Sequence, residues 1–390
     1  DGASVAVTID VPMTTSIDVA GNANTASNQI TRTSDTVAPT VSSITTTDAN
    51  LDGMVDTATI VFTEAMKDST FNFADFTIGG SPATTFSTGI TPDDDTVVLS
   101  HAGVAGTNAK TVAYVPGTAI TDLAGNIRTA FTSGSIDAAK PVLLSARTTS
   151  VTTLTATFSE DLNGSTVNGS GNEFTVAGYA VSAASELAEV VTLTVATMPT
   201  DATPLVTYTE VGPGLLDDSV GNPAVSPRAV TAVDGVAPTL AAVSISSNND
   251  PDLIAPEWAK VGDTVKVFFT SSETITTPTV TIDGNTASYD SNVGNGWAFI
   301  RAMTASDTEG VVTFTIDFND LASPSNAGTQ VTTVTSGPSV FFDRTAPTVY
   351  AGTDKEVNAS VPQSATASDA GYPVTGSGVN TYAWTNQTPV

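Results

Sequence analysis

One loop of this 390-residue chain has the residue types and spacing of a calcium ligand set. It reads Asp48-Ala-Asn50-Leu-Asp52-Gly53-Met-Val-Asp56. Oxygen-bearing side chains at its first, third and fifth positions, followed by a glycine for the sharp turn, match the opening of an EF-hand-type loop. The match is incomplete, because the twelfth position is Thr59 and no helical pattern flanks the loop. We predict a Ca²⁺ site with Asp48, Asn50, Asp52 and Asp56 as ligands. The alternative is an Asx-rich turn between two strands.

Acidic residues also recur in three short motifs that follow one another in a constant order. An Asp stands four residues before a Pro in four places: Asp35 and Pro39, Asp137 and Pro141, Asp234 and Pro238, and Asp343 and Pro347. The pattern Asp-x-x-Gly-Asn occurs at Asp18 to Asn22, Asp122 to Asn126 and Asp218 to Asn222. A Phe precedes a Glu at Phe62 and Glu64, at Phe158 and Glu160 and, more loosely, at Phe269 and Glu273. Three motifs that keep step with one another indicate a repeated structural unit.

Counting strands predicts that these motifs meet in space. In a seven-stranded sandwich the loops after strands two and six return to the end where the chain enters. The acidic motifs therefore converge on the incoming linker at three places. The expected groups are Asp35, Glu64, Asp122 and Asn126; Asp137, Glu160, Asp218 and Asn222; and Asp234, Glu273 and Asp320. Since no Lys occupies a matching position, we predict that each group binds Ca²⁺. The alternative is a structural Asx turn beside a solvated strand end.

The elements that position these residues are predicted to be β-strands. Between the motifs, β-forming residues alternate with a period of two, as in Thr57-Ala-Thr-Ile-Val-Phe, and turns rich in Gly, Asn, Asp and Pro separate the runs. Only residues 183–190 show a short helical pattern. The boundary prolines lie 102, 97 and 109 residues apart, which suits one β-sandwich of about 100 residues per repeat. We predict an all-β chain in which each boundary Pro lies within a few residues of a first strand.

This spacing divides the chain into five segments. We predict the end of one sandwich, three complete sandwiches and the start of another domain; the ranges are 1–37, 38–140, 141–237, 238–346 and 347–390. Because the first segment opens within a strand-like pattern, we expect the chain to be a piece of a longer protein.

The motifs resemble those of bacterial Ig-like repeats, which occur in tandem in S-layer proteins and giant surface adhesins. Residues 38–237 carry the resemblance in Ala-Pro-Thr-Val, in Asp52-Gly53 and in Phe-Thr/Ser-Glu. Residues 238–346 resemble a related variety, and 347–390 look like the opening of a PKD- or cadherin-like domain. The resemblance implies a tandem array of Ig-like β-sandwiches forming an elongated rod, on a prokaryotic cell surface.

Composition excludes several classes of function. There are 40 Asp and Glu against 12 Lys and Arg, a formal charge of −28, so the chain repels nucleic acid. The absence of Cys and the single His101 exclude thiolate and His-rich metal sites. No nucleophile with a base, and no phosphate loop, is recognisable, so we predict no enzymatic activity. No apolar run approaches the ~20 residues that span a bilayer, so we predict no membrane span in this segment.

The functional prediction is a structural, extracellular surface segment, either an S-layer subunit or a surface filament, with Ca²⁺ stiffening its linkers. Its expected partners are copies of itself in a lattice or filament, with cell-surface glycans or other surface proteins as further candidates. The alternative is the stalk of a giant adhesin whose ligand-binding domain lies outside this segment. A third class is an accessory region of an enzyme whose catalytic domain lies elsewhere.

Overall fold

The computed structural model describes residues 5–210, 216–249, 257–346, 348–350 and 366–368. The chain forms two compact units. The first comprises residues 1–198 and 203–233, and the second comprises residues 199–202 and 234–390. The division of the chain into five predicted domain segments stays a prediction.

The first unit opens with a hairpin and then a two-sheet sandwich. The hairpin strands are β1 (Val5–Ile9) and β2 (Ile30–Ser34). The sandwich strands are β3 (Val41–Thr47), β4 (Met54–Phe62), β5 (Phe76–Ile78), β6 (Ser81–Pro82), β7 (Thr85–Ser87), β8 (Thr96–Ala105), β9 (Thr111–Tyr114), β10 (Phe131–Gly134) and β11 (Ile136–Asp137). One sheet has the order β11-β3-β4-β8-β7 and the other β10-β9-β5-β6. Two single-turn 3₁₀ helices, Asp68–Thr70 and Phe73–Asp75, link β4 to β5.

The second half of this unit repeats the pattern. Its strands are β12 (Leu143–Ser150), β13 (Thr153–Phe158), β14 (Phe174–Val176), β15 (Val181–Leu187), β16 (Val190–Val195), β17 (Leu205–Tyr208) and β18 (Arg228–Val233). They hydrogen-bond in the order β14-β17-β18-β12-β13-β16-β15. The helical expectation for residues 183–190 is wrong. Ala184 pairs with Leu193 and Leu187 with Val190, so cross-strand pairing in a hairpin overrides the helical preference of alanine.

The second unit contains a third set of sheets. Its strands are β19 (Leu240–Ser247), β20 (Glu257–Ala259), β21 (Thr264–Ser271), β22 (Thr279–Ile282), β23 (Asn285–Thr286), β24 (Ser288–Val293), β25 (Gly296–Ala302), β26 (Gly310–Val311), β27 (Phe314–Asp317), β28 (Val340–Phe342), β29 (Thr348–Tyr350) and β30 (Thr366–Ser368). The sheets are β19-β21-β25-β24, β20-β28-β26, β23-β22-β27 and the pair β29-β30. The predicted PKD- or cadherin-like start lies largely outside the described residues, as does Pro347.

The all-β prediction is confirmed over the described residues, whose only helices are short 3₁₀ turns. Pro39, Pro141 and Pro238 each stand two residues before a first strand, as the motif spacing predicts. Strands such as β13 alternate half-buried Thr with buried Leu, Ala and Phe, because successive side chains point to opposite faces of a sheet. The inward faces form separate cores, with Tyr114 and Phe269 fully buried in two of them.

In each set one late strand pairs in parallel with an early one. Ile136 of β11 lies beside Thr45, Ala232 of β18 beside Ala146, and Phe341 of β28 beside Trp258. In the first two sandwiches the partner is the first strand, so the chain leaves at the end opposite to the one where it entered. The linker with the next Asp-x-x-x-Pro motif therefore begins at that opposite end of the sandwich.

Candidate metal centres

Three groups of carboxylates converge in the described part of the chain. In each group the three side chains offer one oxygen apiece, and these oxygens all lie within 4.8 Å of one another. We call them triad 1 (Asp35, Glu64, Asp122), triad 2 (Asp137, Glu160, Asp218) and triad 3 (Asp234, Glu273, Asp320). Triads 1 and 2 lie within the first unit and triad 3 within the second. The structure therefore brings together the carboxylates that strand counting predicted would meet.

A short hairpin holds the last residue of each triad, which is an Asp. Asp122 Oδ1 accepts the backbone N–H groups of Gly125 and Asn126 at 2.7 and 2.8 Å, and its Oδ2 accepts the Asn126 side-chain amide at 2.7 Å. Asp218 makes the same contacts with Gly221 and Asn222. At Asp122 these N–H groups stabilise the charged carboxylate and lower its pKa, against the effect of burial. All three hairpin aspartates are 1% exposed.

The amide of this hairpin also fastens the incoming linker. Asn126 Nδ2 donates to the Asp35 carbonyl at 3.3 Å, and Asn222 Nδ2 donates to the Asp137 carbonyl at 3.4 Å. Each linker Asp in turn accepts a backbone N–H two residues on, as Asp35 does from Val37 at 3.0 Å. Asn126 and Asn222 thus act through their amide nitrogen as positioning groups. Their predicted role as metal ligands stays a prediction.

Buried residues precede and follow the Glu of each triad along the chain. In the first two repeats it follows the terminal Phe of a strand by two residues, and Phe62 and Phe158 are each 2% exposed. Two residues after the Glu, the backbone of an apolar residue forms a β-bridge to the hairpin Asp. The bridges are Met66 to Asp122, Leu162 to Asp218 and Ile275 to Asp320. This Glu-x-apolar pattern was present in the sequence but was not used to predict the site.

Triad 1 is the most exposed of the three, since only Asp122 is buried. Burial, followed by the negative charges of Asp122 and Asp35, raises the pKa of Glu64 above its ordinary value. Burial acts to raise the pKa of Asp122 as well, but the hydrogen bonds from Asn126 and its neighbours outweigh it, so this pKa lies below the ordinary value. The triad therefore keeps an ionised Asp beside a Glu that resists ionisation.

Triad 2 lies where a loop of the first sandwich contacts the second. Thr107, which is fully buried, donates its hydroxyl to Glu160 at 2.5 Å and pairs with the Ser159 hydroxyl at 2.6 Å. Burial and the charges of Asp137 and Asp218 raise the pKa of Glu160 to about 7, despite the Thr107 bond. Asp137 and Glu160 line a cleft of about 490 Å³.

Triad 3 has all three carboxylates buried. Burial, with the charges of Asp234, Asp320 and Asp201, raises the pKa of Glu273 to about 7. Glu273 is 4% exposed, and its Oε1 has no hydrogen-bond partner. A buried carboxylate oxygen without a partner requires an explanation, and a bound ion is one of the few available.

The third hairpin uses a residue that the motif search missed. Asp320 accepts the Asn326 backbone N–H and side-chain amide, each at 2.7 Å, and Asn326 Nδ2 also reaches the Asp234 carbonyl at 3.3 Å. The contacts are those of the other two hairpins, with two extra residues between Asp and Asn. An Asp followed by an Asn at variable spacing was the signal that could have found it.

These donor sets fit a hard divalent cation. Each triad offers only oxygen ligands and up to three negative charges, as Ca²⁺ prefers, and soft thiolate or imidazole ligands are absent from them. Triad residues would hold the ion through their carboxylate oxygens. The ion would supply the positive charge that removes the mutual repulsion of the acids.

The hairpin alone does not produce a carboxylate triad. Asp18 makes the same hairpin contacts with Asn22 but belongs to none of the three triads.

The loop over residues 48–56 is closed by hydrogen bonds to its own backbone. Asp48, 5% exposed, accepts Leu51 N at 2.7 Å and Gly53 N at 2.7 Å, and Asp56 Oδ1 accepts Ala49 N at 2.9 Å. These are the contacts of the Asx-rich turn, and among the described carboxylates this loop forms no triad. The Ca²⁺ prediction for the loop stays a prediction.

No family model matches the chain, and no curated protein matches it. Three solved structures show distant similarity. The S-layer protein rSbsC(31-844) is 12% identical over 80% of this chain and 56% of that chain, with a TM-score of 0.22. The full extracellular region of Plexin A4 is 10% identical over 78% of this chain and 34% of that chain, with a TM-score of 0.20. The third is SGBP-B of the Bacteroides ovatus mixed-linkage glucan utilization locus, in complex with a mixed-linkage heptasaccharide. It is 10% identical over 74% of this chain and 65% of that chain, with a TM-score of 0.16. This chain thus spans less than two thirds of each of those chains. TM-scores this low do not show a shared arrangement of the whole chain.

Within the described residues, no helix has the length and apolarity needed to cross a membrane.

Proposed function

We propose that this chain is a structural segment of a prokaryotic cell-surface protein, an S-layer subunit or surface filament. In this proposal it forms a rod of Ig-like β-sandwiches whose linkers are stiffened by Ca²⁺. The observation that carries it is the threefold recurrence of one constellation. A linker Asp, a strand-end Glu and a hairpin Asp meet each time, and the hairpin amide holds the linker carbonyl each time.

The proposed mechanism is electrostatic. Three carboxylates whose oxygens lie within 4.8 Å repel one another unless a cation or a proton intervenes. A shared ion would join the linker to two loops of the next sandwich, and bending the joint would then break ligand bonds. Extracellular calcium modules bind at Kd ~10⁻⁴–10⁻³ M, so millimolar calcium outside a cell would be sufficient.

Small-angle scattering of the full chain, with Ca²⁺ and with chelator, tests this proposal. We expect chelation to broaden the pair-distance distribution while circular dichroism retains its β signal. A variant with Glu64→Gln, Glu160→Gln and Glu273→Gln is the control, since it should lose the response to Ca²⁺. An unchanged scattering profile in the wild-type chain would mean that packing alone holds the joints.

Electron microscopy of native material separates the two surface roles. A lattice or fibre made by lateral contacts of these sandwiches supports the S-layer or filament proposal. Isolated rods with contacts only at a distal tip support the alternative of an adhesin stalk. Cell-surface glycans and other surface proteins are proposed as further partners beside copies of the chain itself.

A further inference from the structure

The loop over residues 105–110 encloses triad 2 from the side of the first sandwich. Thr107 donates to Glu160, and Gly106 approaches so closely that an added Cβ would lie 3.2 Å from the Ser159 carbonyl oxygen. Asn108 lines the same cleft as Asp137 and Glu160. A loop that follows strand β8 of one sandwich is therefore part of the wall around the acids at the start of the next.

Lys110 is held at this place by both its backbone and its side chain. Its backbone N–H donates to Ser135 Oγ at 3.0 Å, and its carbonyl accepts Ser135 N at 3.1 Å, two residues before Asp137. Its Nζ donates to the Ala105 carbonyl at 3.0 Å and to Asn108 Oδ1 at 2.6 Å. The ammonium is thus fixed over the loop that encloses the triad. It does not extend freely into solvent.

The charge of Lys110 acts on the triad. Burial lowers the pKa of Lys110, while the negative charges of Asp137 and Glu160 act in the opposite direction. The reciprocal effect lowers the pKa of both acids, against the larger effect of their own burial. At triad 3, by contrast, the charged groups that shift Glu273 are all acidic.

We infer that Lys110 is a built-in counter-ion that competes with a metal ion at triad 2, so that triad 2 requires a higher Ca²⁺ concentration than triad 3. This inference rests on the proposed role of the triads as Ca²⁺ sites. None of the described ion pairs joins Lys110 to a triad carboxylate, but its ammonium is hydrogen-bonded to Asn108, which lines the cleft with Asp137 and Glu160. A positive charge fixed beside the site repels a divalent cation. Triad 3 has three buried carboxylates and an unpartnered Glu273 oxygen, and these favour an added ion. The positive charge of Lys110 therefore stays beside triad 2 when calcium falls.

Calorimetric titration of the full chain with Ca²⁺ tests the inference, using backgrounds that leave one triad intact. The double variant Glu64→Gln, Glu273→Gln leaves only triad 2 intact. The double variant Glu64→Gln, Glu160→Gln leaves only triad 3 intact. We expect weaker binding by the first background than by the second. Adding Lys110→Met to the triad 2 background should tighten its Kd about tenfold or more. Lys260→Met, which removes an exposed charge in the second unit, is the matched control and should change Kd less than about twofold.

Lys110→Arg keeps the positive charge and should leave the weak affinity of triad 2 unchanged. If Lys110→Met does not fold, Lys110→Gln against Lys110→Arg provides the same comparison. Equal Kd values for Lys110→Met and the unmodified background would overturn the inference and leave the Ca²⁺ sites in place. No binding by either background would overturn the proposed Ca²⁺ sites themselves.

Discussion

Glu64, Glu160 and Glu273 occupy the same position in successive repeats, but their surroundings differ. Glu64 is half-buried, whereas Glu160 and Glu273 are 8% and 4% exposed. A buried carboxylate beside two others is held in an unfavourable charged state, and the two buried glutamates accordingly have pKa values of about 7. Whatever neutralises these side chains must therefore stabilise the fold, and protons and cations are expected to compete for them.

Glu273→Gln should stabilise the second unit at pH 8 when metal is removed. The substitution removes a buried charge that repels Asp234 and Asp320. We expect the free energy of unfolding to rise by roughly 1–2 kcal/mol, allowing for partial solvent screening. Urea unfolding followed by the fluorescence of Trp258 and Trp297 measures it. Glu309→Gln is the control, because hydrogen bonds to Thr345 and Arg344 lower the pKa of Glu309 and its charge is favourable.

The same transition should depend on pH in a defined direction. The pKa of Glu273 is raised to about 7 from the ordinary 4.5, so in this window the folded chain keeps a proton that the unfolded chain has released. Stability without metal should therefore fall as pH rises from about 4.5 to about 7. Glu273→Gln should flatten this part of the profile. A wild-type profile as flat as that of the variant would contradict the raised pKa.

At the scale of elements, one type of Asp–Asn hairpin occurs four times in the described residues, but only three of the four hold a linker. The bridges Ile17 to Ala23, Thr121 to Ile127 and Asp217 to Pro223 close hairpins of equal length, and Asn319 to Ala327 closes one that is two residues longer. The first is exposed, and the other three fasten a linker. The same local sequence thus forms a simple surface turn or part of a joint, depending on what folds against it.

Asn326→Ala should destabilise the second unit, because the Asn326 amide joins Asp320 to the Asp234 carbonyl. Loss of these bonds to buried acceptors costs about 1–3 kcal/mol. The urea midpoint of the tryptophan transition should fall accordingly. Asn22→Ala removes the equivalent amide of the exposed hairpin and should leave that midpoint unchanged. An equal shift in both variants, or none in Asn326→Ala, would show that the amide does not fasten the linker.

The loop over residues 48–56 presents Gly53 to the second sandwich. Gly53 has φ +91°, and a Cβ there would lie 2.5 Å from Leu144 Cδ2 and 3.3 Å from Ser159 Cβ. Gly53→Ala should therefore separate the two surfaces as well as strain the turn. Hydrogen exchange should accelerate in residues 105–110 and 158–162. Gly80→Ala is the control, since Gly80 has φ +82° but nothing within 4 Å of its added Cβ. Unchanged exchange in both variants would mean that this contact does not hold the joint.

At the scale of the whole chain, charge and ion number are linked. The formal charge is −28, and each divalent ion bound removes two units of negative charge. Monovalent salt at 0.1 M screens exposed charges beyond about 10 Å but acts weakly between buried acids, so salt should not replace Ca²⁺ at the triads.

Native mass spectrometry of the full chain should count the bound ions. We expect three Ca²⁺ per chain from the triads, with a fourth if the loop over residues 48–56 also binds. Asp52→Ala should remove that fourth ion if it exists. A count of three in both proteins would leave the loop as an Asx-rich turn, and a count of zero would contradict every predicted site.

The sequence by itself determined most of the strands, with residues 183–190 as the exception, and the carboxylates that meet. Alternation with a period of two predicts strand faces, and the boundary prolines mark strand starts, because both depend on local geometry. Strand counting could place Glu64 near Asp122 because each strand reverses the direction of the last. Only the tertiary structure showed Thr107 at triad 2 and Lys110 beside it, because both lie on a loop of the preceding sandwich that shares no motif with the acids. It also showed which carboxylates are buried, as Glu273 is and Glu64 is not. Burial depends on how the sandwiches pack, and no local pattern of residues encodes it.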